Sequence, residues 1–157
     1  MSENQMKNLT LHLKKGEVVC VAGEDNYDLY LIIKGKLMIM VNKGTQIIPL
    51  AYLNEGEYMG ELSFFDKKSR SAHVICAEDT DLIHIPVEEL DKQFPKWLQT
   101  IAISITDRLR KVDDLIGAKG IRKRKTETIN PFSIDEQREY FKILETYTQE
   151  KGLPSIK

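Results

Sequence analysis

The sequence has no long apolar segment, no excess of charge of one sign and very little cysteine. None of its 157 residues belongs to an apolar run of 18 or more, so we expect no membrane span. A formal net charge of −1 offers no field that attracts nucleic acid, so any basic patch must be local. Cys20 and Cys76 are too few for a disulfide framework, and the polar start from Met1 to Asn8 lacks the apolar stretch of a secretory signal. We therefore expect a soluble cytoplasmic protein with two buried thiols.

The segment from Leu9 to Pro86 predicts a mainly β structure. Leu9, Leu11 and Leu13 alternate with polar neighbours, which is the two-residue period of a half-buried strand. Short β-rich runs recur about every ten residues and are separated by turn residues, which is typical of an all-β barrel or sandwich. The runs cover residues 9–13, 18–21, 29–33, 37–41, 47–53, 73–77 and 82–85.

After Pro86 the hydrophobic period becomes that of a helix. A short helical pattern covers Val87 to Gln93, and Pro95 suits the first turn of the next helix. Apolar residues then recur at spacings of four and three, which predicts a helix that ends before Gly117 and Gly120 and packs against a second copy. This seam consists of Leu98, Ala102, Ile105, Leu109, Val112 and Ile116, and the stripe is widened by Ile101, Ile103 and Leu115. The alternative is a helix that packs only on the barrel.

The last forty residues combine a basic run with one short helix. Five cations lie between Lys119 and Lys125, which is typical of a solvated linker. Ser133 and Glu136 match a capping box, which predicts a helix that runs to Lys151 and stops at Gly152 and Pro154. We expect one domain at residues 1–117, with a β-roll at about 9–86 and a helix at about 95–117, followed by a linker and terminal helix at 118–157.

The segment from Gly60 to Ala72 carries the residues that suggest a ligand. Glu61 follows a glycine at the start of a potential helix, where free N–H groups attract an anion. Nine residues later, Arg70 offers a planar fork of donors that suits two phosphate oxygens, whereas the Glu61 carboxylate suits a sugar hydroxyl. On spacing alone, a site for a phosphorylated ribose and a surface ion pair between Glu61 and Arg70 are equally open.

This segment resembles the phosphate-binding cassette of the cyclic nucleotide-binding domain, the module of bacterial catabolite activator proteins and of the regulatory subunit of cAMP-dependent protein kinase. The family pattern is Gly-Glu, a short apolar helix, and Arg followed by a small residue and Ala. Residues 60–62 and 70–72 reproduce this pattern, and residues 30–35 match the family's strand and turn. The likeness covers residues 9–116 and implies a double-stranded β-helix, a jelly-roll-like β-roll flanked by α-helices, with a long C-terminal helix and a short helical tail.

The resemblance implies a role for each residue of the cassette. Glu61 would accept a hydrogen bond from the ribose 2′-hydroxyl, and Arg70 would pair with the exocyclic oxygens of the cyclic phosphate. The remaining ligand-binding positions are Ser71, Ala72 and the backbone of Gly60, Leu62 and Ser63.

In this family the helix after the β-roll covers the purine base. Its register in this sequence places Arg108, Val112 and Asp113 nearest the base. Bacterial activators commonly present a hydroxyl side chain at the position of Val112, so this departure leaves the choice between cAMP and cGMP open. A hydroxyl at Ser71 is compatible with either purine.

The resemblance therefore implies a stand-alone sensor that binds cAMP or cGMP, needs no other cofactor, forms a homodimer through residues 97–116 and relays occupancy to a protein partner. Only 32 residues follow Lys125, too few for the helix-turn-helix domain of the activators, so DNA is not an expected partner. No nucleophile elbow, cupin-type metal cluster or haem-ligand pattern occurs, so we expect no enzyme. The alternative is a scaffold that keeps the β-roll and the dimer helix but binds no nucleotide. The presence of both Glu61 and Arg70 argues against it.

Overall fold

A computed structural model describes residues 9–119 and 130–156, without the side chains at positions 91 and 113–119. Most of the basic run from Lys119 to Lys125 lies outside these residues, so the division of the chain near residue 117 stays a prediction. The described residues form eight strands and four helices. The strands are β1 (Thr10–Leu13), β2 (Val18–Cys20), β3 (Leu29–Lys34), β4 (Leu37–Lys43), β5 (Gln46–Leu53), β6 (Tyr58–Met59), β7 (His73–Cys76) and β8 (Thr80–Ile85). The helices are α1 (Glu61–Asp66), α2 (Glu89–Gln93), α3 (Lys96–Lys119) and α4 (Ile134–Lys151).

The strands form two four-stranded antiparallel sheets that together make the predicted β-roll. Sheet A has the order β1-β8-β3-β6, and sheet B has the order β2-β7-β4-β5. All seven runs predicted from the sequence contribute strands. The eighth strand, β6, is only two residues long and pairs with Tyr30 and Leu31 of β3, so it is too short to show a two-residue period.

The space between the two sheets holds the main core of the β-roll. Every second side chain points into this space, because successive residues of a strand face opposite sides of its sheet. Both cysteines are buried here, as their positions in β-rich runs predict. The buried members of this core are Val19, Cys20, Tyr30, Ile32, Leu37, Met59, Val74, Cys76 and Leu82.

A second core lies on the other face of sheet B, under the terminal helix α4. In β4, Leu37 faces the space between the sheets, whereas Met38 and Met40 face α4. Sheet B is thus buried on both faces, which explains why β4 is a continuous apolar run and not an alternating one. The buried residues of this second core are Val21, Met38, Met40, Ile47, Ile75 and Leu144.

The long helix α3 follows Pro95, as predicted, but it is longer than the sequence suggested. The prediction that it ends before Gly117 is wrong, since its backbone is helical as far as Lys119. One glycine costs a helix only about 1 kcal/mol and does not block its hydrogen bonds, so it need not end the helix. None of the described helices combines the length and the apolar character that a bilayer crossing requires.

The terminal helix α4 has both of its predicted ends. The Ser133 side chain accepts a hydrogen bond from the Glu136 backbone, and the Glu136 side chain bonds back to the Ser133 backbone, so the capping box is complete. Gly152 follows the helix in the left-handed conformation with φ of 64°. These local signals determined the bounds of α4 correctly.

Candidate functional site

Gly60 begins the cassette, and no other residue fits at its position. Its backbone has φ of 93°, a left-handed conformation that side chains disfavour. A Cβ atom there would lie 2.1 Å from Nη1 of Arg70 and 2.7 Å from the carbonyl oxygen of Asp28. The glycine therefore allows the helix α1 to start where the Arg70 guanidinium passes close to the backbone.

The Arg70 side chain is almost fully buried and has no anionic partner in the part of the chain that the structure describes. The residue is only 5% exposed, and no carboxylate of a described residue forms an ion pair with it. Its Nη2 donates to Oδ1 of Asn26 at 2.7 Å and to the carbonyl oxygen of Asp28 at 2.5 Å, and its Nη1 donates to the carbonyl oxygen of Gly60 at 3.3 Å. Its Nε is buried without a hydrogen-bond partner among the described residues. A buried cation with a free donor is well suited to an anionic oxygen ligand.

Loop residues before β3 hold the Arg70 guanidinium, and sequence reasoning missed them. Asp28 is fixed in turn, because its carboxylate accepts from the Val87 backbone at 2.9 Å and pairs with Nε2 of His84 at 2.7 Å. Asn26 Oδ1 also accepts from the Asp28 backbone at 3.1 Å, and Tyr30 stacks on His84 at 5.2 Å between ring centroids. The sequence marked this segment only as a loop, and nothing in its pattern pointed to residue 70.

The remaining cassette residues differ in how far they are exposed to solvent. Glu61 and Ser71 are exposed, Leu62 and Ala72 are half-buried, and Ser63 is buried. The ion pair between Glu61 and Arg70, left open by the spacing, does not form, since Arg70 bonds to uncharged oxygens. Within the described part of the chain, the Glu61 carboxylate has neither a hydrogen bond nor an ion pair. Its oxygens are available to a hydroxyl donor.

Among the described residues, no hydrogen bond or ion pair joins Arg108, one of the three residues predicted to face the base, to the cassette. Arg108 and Val112 are exposed on α3, and the side chain of Asp113 lies outside the described residues. An ion pair that the sequence did not predict does join α3 to the cassette helix. Arg110 donates to both carboxylate oxygens of Asp66 in α1, at 2.5 and 3.0 Å.

The buried titratable groups nearby are held in their neutral forms. Burial raises the pKa of Cys20 to about 12 and that of Cys76 to about 11, so neither is a thiolate nucleophile at neutral pH. Burial lowers the pKa of His73 to about 4. Among residues 9–119 and 130–156, no three His, Cys, Asp or Glu side chains come together as metal ligands.

Comparison with known proteins places this geometry in a family. The model of the cyclic nucleotide-binding domain matches residues 10–96, which is more than half of the chain. The chain belongs to the cyclic nucleotide-binding domain family. The matched region of this domain includes the whole cassette and the loop that holds Arg70, and it ends at the start of α3.

Relatives of this cyclic nucleotide-binding domain include bacterial regulators. The Cyclic AMP receptor protein of Thermus thermophilus is 32% identical over 117 residues, which cover 70% of this chain and 54% of that protein. The crystal structure of the Catabolite Activator Protein of Thermus thermophilus is 26% identical with a TM-score of 0.56, and the match covers 76% of this chain and 61% of that one. The cAMP-bound form of the EAL enzyme Bd1971 is 29% identical with a TM-score of 0.58, over 71% of this chain and 31% of that one. The chain spans about half the length of the curated relatives that it matches in Thermus thermophilus and Pseudomonas aeruginosa.

Proposed function

We propose that this domain is a sensor that binds cAMP or cGMP through Arg70 and Glu61. The observation that carries the proposal is the buried, positively charged Arg70 with no anionic partner among the described residues. Burying an unpaired charge is costly, and a protein retains one where a ligand completes the pair. A cyclic phosphate supplies both the negative charge and the oxygen acceptors.

The hydrogen bonds of Arg70 support a phosphate as the missing partner. Asn26, Asp28 and Gly60 contribute neutral oxygens, which orient the guanidinium without neutralising it. The Nε–H remains for the ligand. Charge-assisted hydrogen bonds between a guanidinium and a phosphate are about twice as strong as neutral ones. A phosphate that accepts from Arg70 would therefore bind favourably.

Glu61 supports the sugar half of the proposal. Its exposed carboxylate follows Gly60 directly and has no partner in the described residues. An ionised carboxylate only accepts hydrogen bonds, so it suits a ribose hydroxyl and would repel a second phosphate. Solved structures of the EAL enzyme Bd1971 hold cAMP in one form and cGMP in another, so both purines are candidates for this chain.

We further propose that the sensor is a homodimer that relays occupancy to a protein partner and does not itself catalyse a reaction. The outer face of α3, defined by Ile101, Ile105, Leu109 and Val112, supports the dimer. These four side chains are between 45% and 50% exposed and lie at helical spacing. Ile105, Leu109 and Val112 belong to the predicted seam, whereas Leu98 and Ala102 are half-buried and the side chain of Ile116 is not described.

Calorimetric titration with cAMP, cGMP and linear AMP tests the proposed ligand. Arg70→Ala should weaken binding of the cyclic nucleotide by roughly 2–5 kcal/mol, because the phosphate loses its charge-assisted pair. Arg70→Lys should recover only part of this loss, since a point charge does not replace the fork. Glu61→Ala should weaken nucleotide binding less than Arg70→Ala does, because it removes a hydrogen bond to a neutral hydroxyl.

Arg138→Ala is the matched control, since this arginine is exposed on α4, far along the chain from the cassette. It should bind like the unmutated chain. Equal binding by Arg70→Ala would show that the cassette assignment is wrong. No binding of any cyclic nucleotide, together with a stable dimer, would instead favour the scaffold.

A further inference from the structure

The terminal helix α4 is attached to the loop that precedes the ligand site. Leu144 is fully buried in the same core as Val21. One turn further, the Tyr147 hydroxyl donates to Oε1 of Glu24 at 3.3 Å, while Oε2 of Glu24 accepts from the Val21 backbone at 3.0 Å. Helix α4 therefore contacts the segment from Val21 to Glu24 through both apolar packing and a hydrogen bond.

The backbone of this same segment is paired with the backbone of Arg70. The Gly23 N–H donates to the Arg70 carbonyl oxygen at 2.8 Å, and the Arg70 N–H donates to the Glu24 carbonyl oxygen at 2.9 Å. Glu24 thus bonds to Tyr147 with its side chain and to Arg70 with its backbone. A shift of α4 must change either the Tyr147–Glu24 bond or the position of the Arg70 backbone.

Space remains between the end of the chain and the cassette. A cavity of about 340 Å³ is lined both by Ser71 of the cassette and by Thr148 and Pro154 at the end of the chain. The tail after α4 is therefore close to the cassette without being tightly packed on it. Leu153 and Ile156 of this tail also pack against the core around Leu144, so the tail and α4 share one attachment to the β-roll.

We propose that Tyr147 is a positioning residue for the nucleotide site, and that docking of α4 and binding of the cyclic nucleotide strengthen each other. This inference rests on the proposed function and adds an output element to it. Phosphate binding at Arg70 favours one backbone position of residues 69–71, and the pairing with Gly23 and Glu24 passes this preference to Tyr147. By thermodynamic linkage, whatever holds α4 in place must raise nucleotide affinity by the same factor.

Tyr147→Phe tests the coupling, because it removes the hydroxyl and leaves the ring in place. In calorimetric titrations with cAMP and, separately, cGMP, it should weaken binding about fivefold, the value of one ordinary hydrogen bond. Tyr140→Phe is the control. Tyr140 packs in the same core two turns earlier in α4, but no described hydrogen bond links it to Glu24. The affinity of the Tyr140→Phe variant for cyclic nucleotide should stay within about twofold of that of the unmutated chain.

A double-mutant cycle and hydrogen exchange separate positioning from general support. In the Arg70→Lys background, Tyr147→Phe should cost clearly less than it does alone, since the group that it positions is already altered. In the unmutated chain, nucleotide should slow amide exchange in α4 around Tyr147, and Tyr147→Phe should reduce this gain.

The outcomes distinguish this inference from the proposed function. If the unmutated chain binds nucleotide, but Tyr147→Phe behaves like Tyr140→Phe and α4 gains no protection, the coupling is overturned and the binding function stands. If the unmutated chain binds neither cAMP nor cGMP, both are overturned.

Discussion

The two long helices at the C-terminal end of the chain use their apolar faces in opposite ways. Helix α4 buries Leu144 against sheet B, and this residue is inaccessible to solvent. Helix α3 leaves Ile105, Leu109 and Val112 exposed. Both helices are amphipathic, yet only one of them finds a partner for its apolar face within the described chain.

The difference shows that the surface opposite a helix decides where its apolar face lies. Sheet B offers Met38 and Met40 to α4, so that two apolar surfaces are removed from water together. The contacts of α3 with the rest of the chain include the ion pair between Asp66 and Arg110, and Thr106 of α3 is buried. The covered side of α3 thus includes polar groups, whereas the outer face is exposed and is the surface of the proposed dimer.

The largest expected effect is on assembly. Leu109→Glu should convert the proposed dimer into a monomer and weaken association by at least about 10,000-fold, because the seam of a dimer would hold two desolvated and unpaired charges at about 3–5 kcal/mol each. Light scattering at tens of micromolar protein measures the change.

Ile134→Glu is the control for this substitution, since Ile134 is an exposed apolar residue on α4. The Ile134→Glu variant should have the same molecular mass by light scattering as the unmutated chain. A monomeric unmutated chain at the same concentration would remove the contrast between the two helices.

A smaller effect is expected on the stability of the monomer. Leu144→Ala should lower the free energy of unfolding by about 2–5 kcal/mol, because it leaves a cavity between α4 and sheet B. Leu50→Ala, at an exposed position of β5, should change the same quantity by less than about 0.5 kcal/mol. Urea denaturation measures both, and equal losses would mean that α4 does not share a core with the roll.

The smallest expected effect is a pH dependence of the free energy of unfolding, which we expect from His73. His73 lies on the face of sheet B towards α4, where its ring bonds to the Ala22 backbone and to Asn42. Burial lowers its pKa from 6.5 to about 4, so the folded protein keeps it neutral where the unfolded chain takes up a proton. The neutral ring of His73 therefore contributes up to about 3 kcal/mol to the free energy of unfolding above pH 6.5. This contribution is lost as the pH falls from 6.5 towards 4.

Denaturation curves between pH 7 and pH 5 test this expectation. The unmutated chain should lose stability as the pH falls, and His73→Gln should have a flatter profile over the same range. Parallel profiles would assign the acid sensitivity to other groups.

Much of the fold and part of the site could be predicted from local patterns. The alternation of Leu9, Leu11 and Leu13 and the capping box of Ser133 and Glu136 involve residues only a few positions apart, so the sequence displays them directly. The end of α3 was predicted wrongly, because a glycine is a weak stop signal without a competing structure.

What the sequence by itself determined is seven of the eight described strands, the capped terminal helix and the motif from Gly60 to Ala72, because periods and short motifs are local. Only the tertiary structure decided which groups meet Arg70. Asn26 and Asp28 lie more than 40 residues before it and reach its guanidinium because β3, which follows them, pairs with β6, the strand that leads into Gly60. It also decided that α4 covers sheet B. The energy of burying an apolar face depends on the surface that it meets, and no local pattern records that surface.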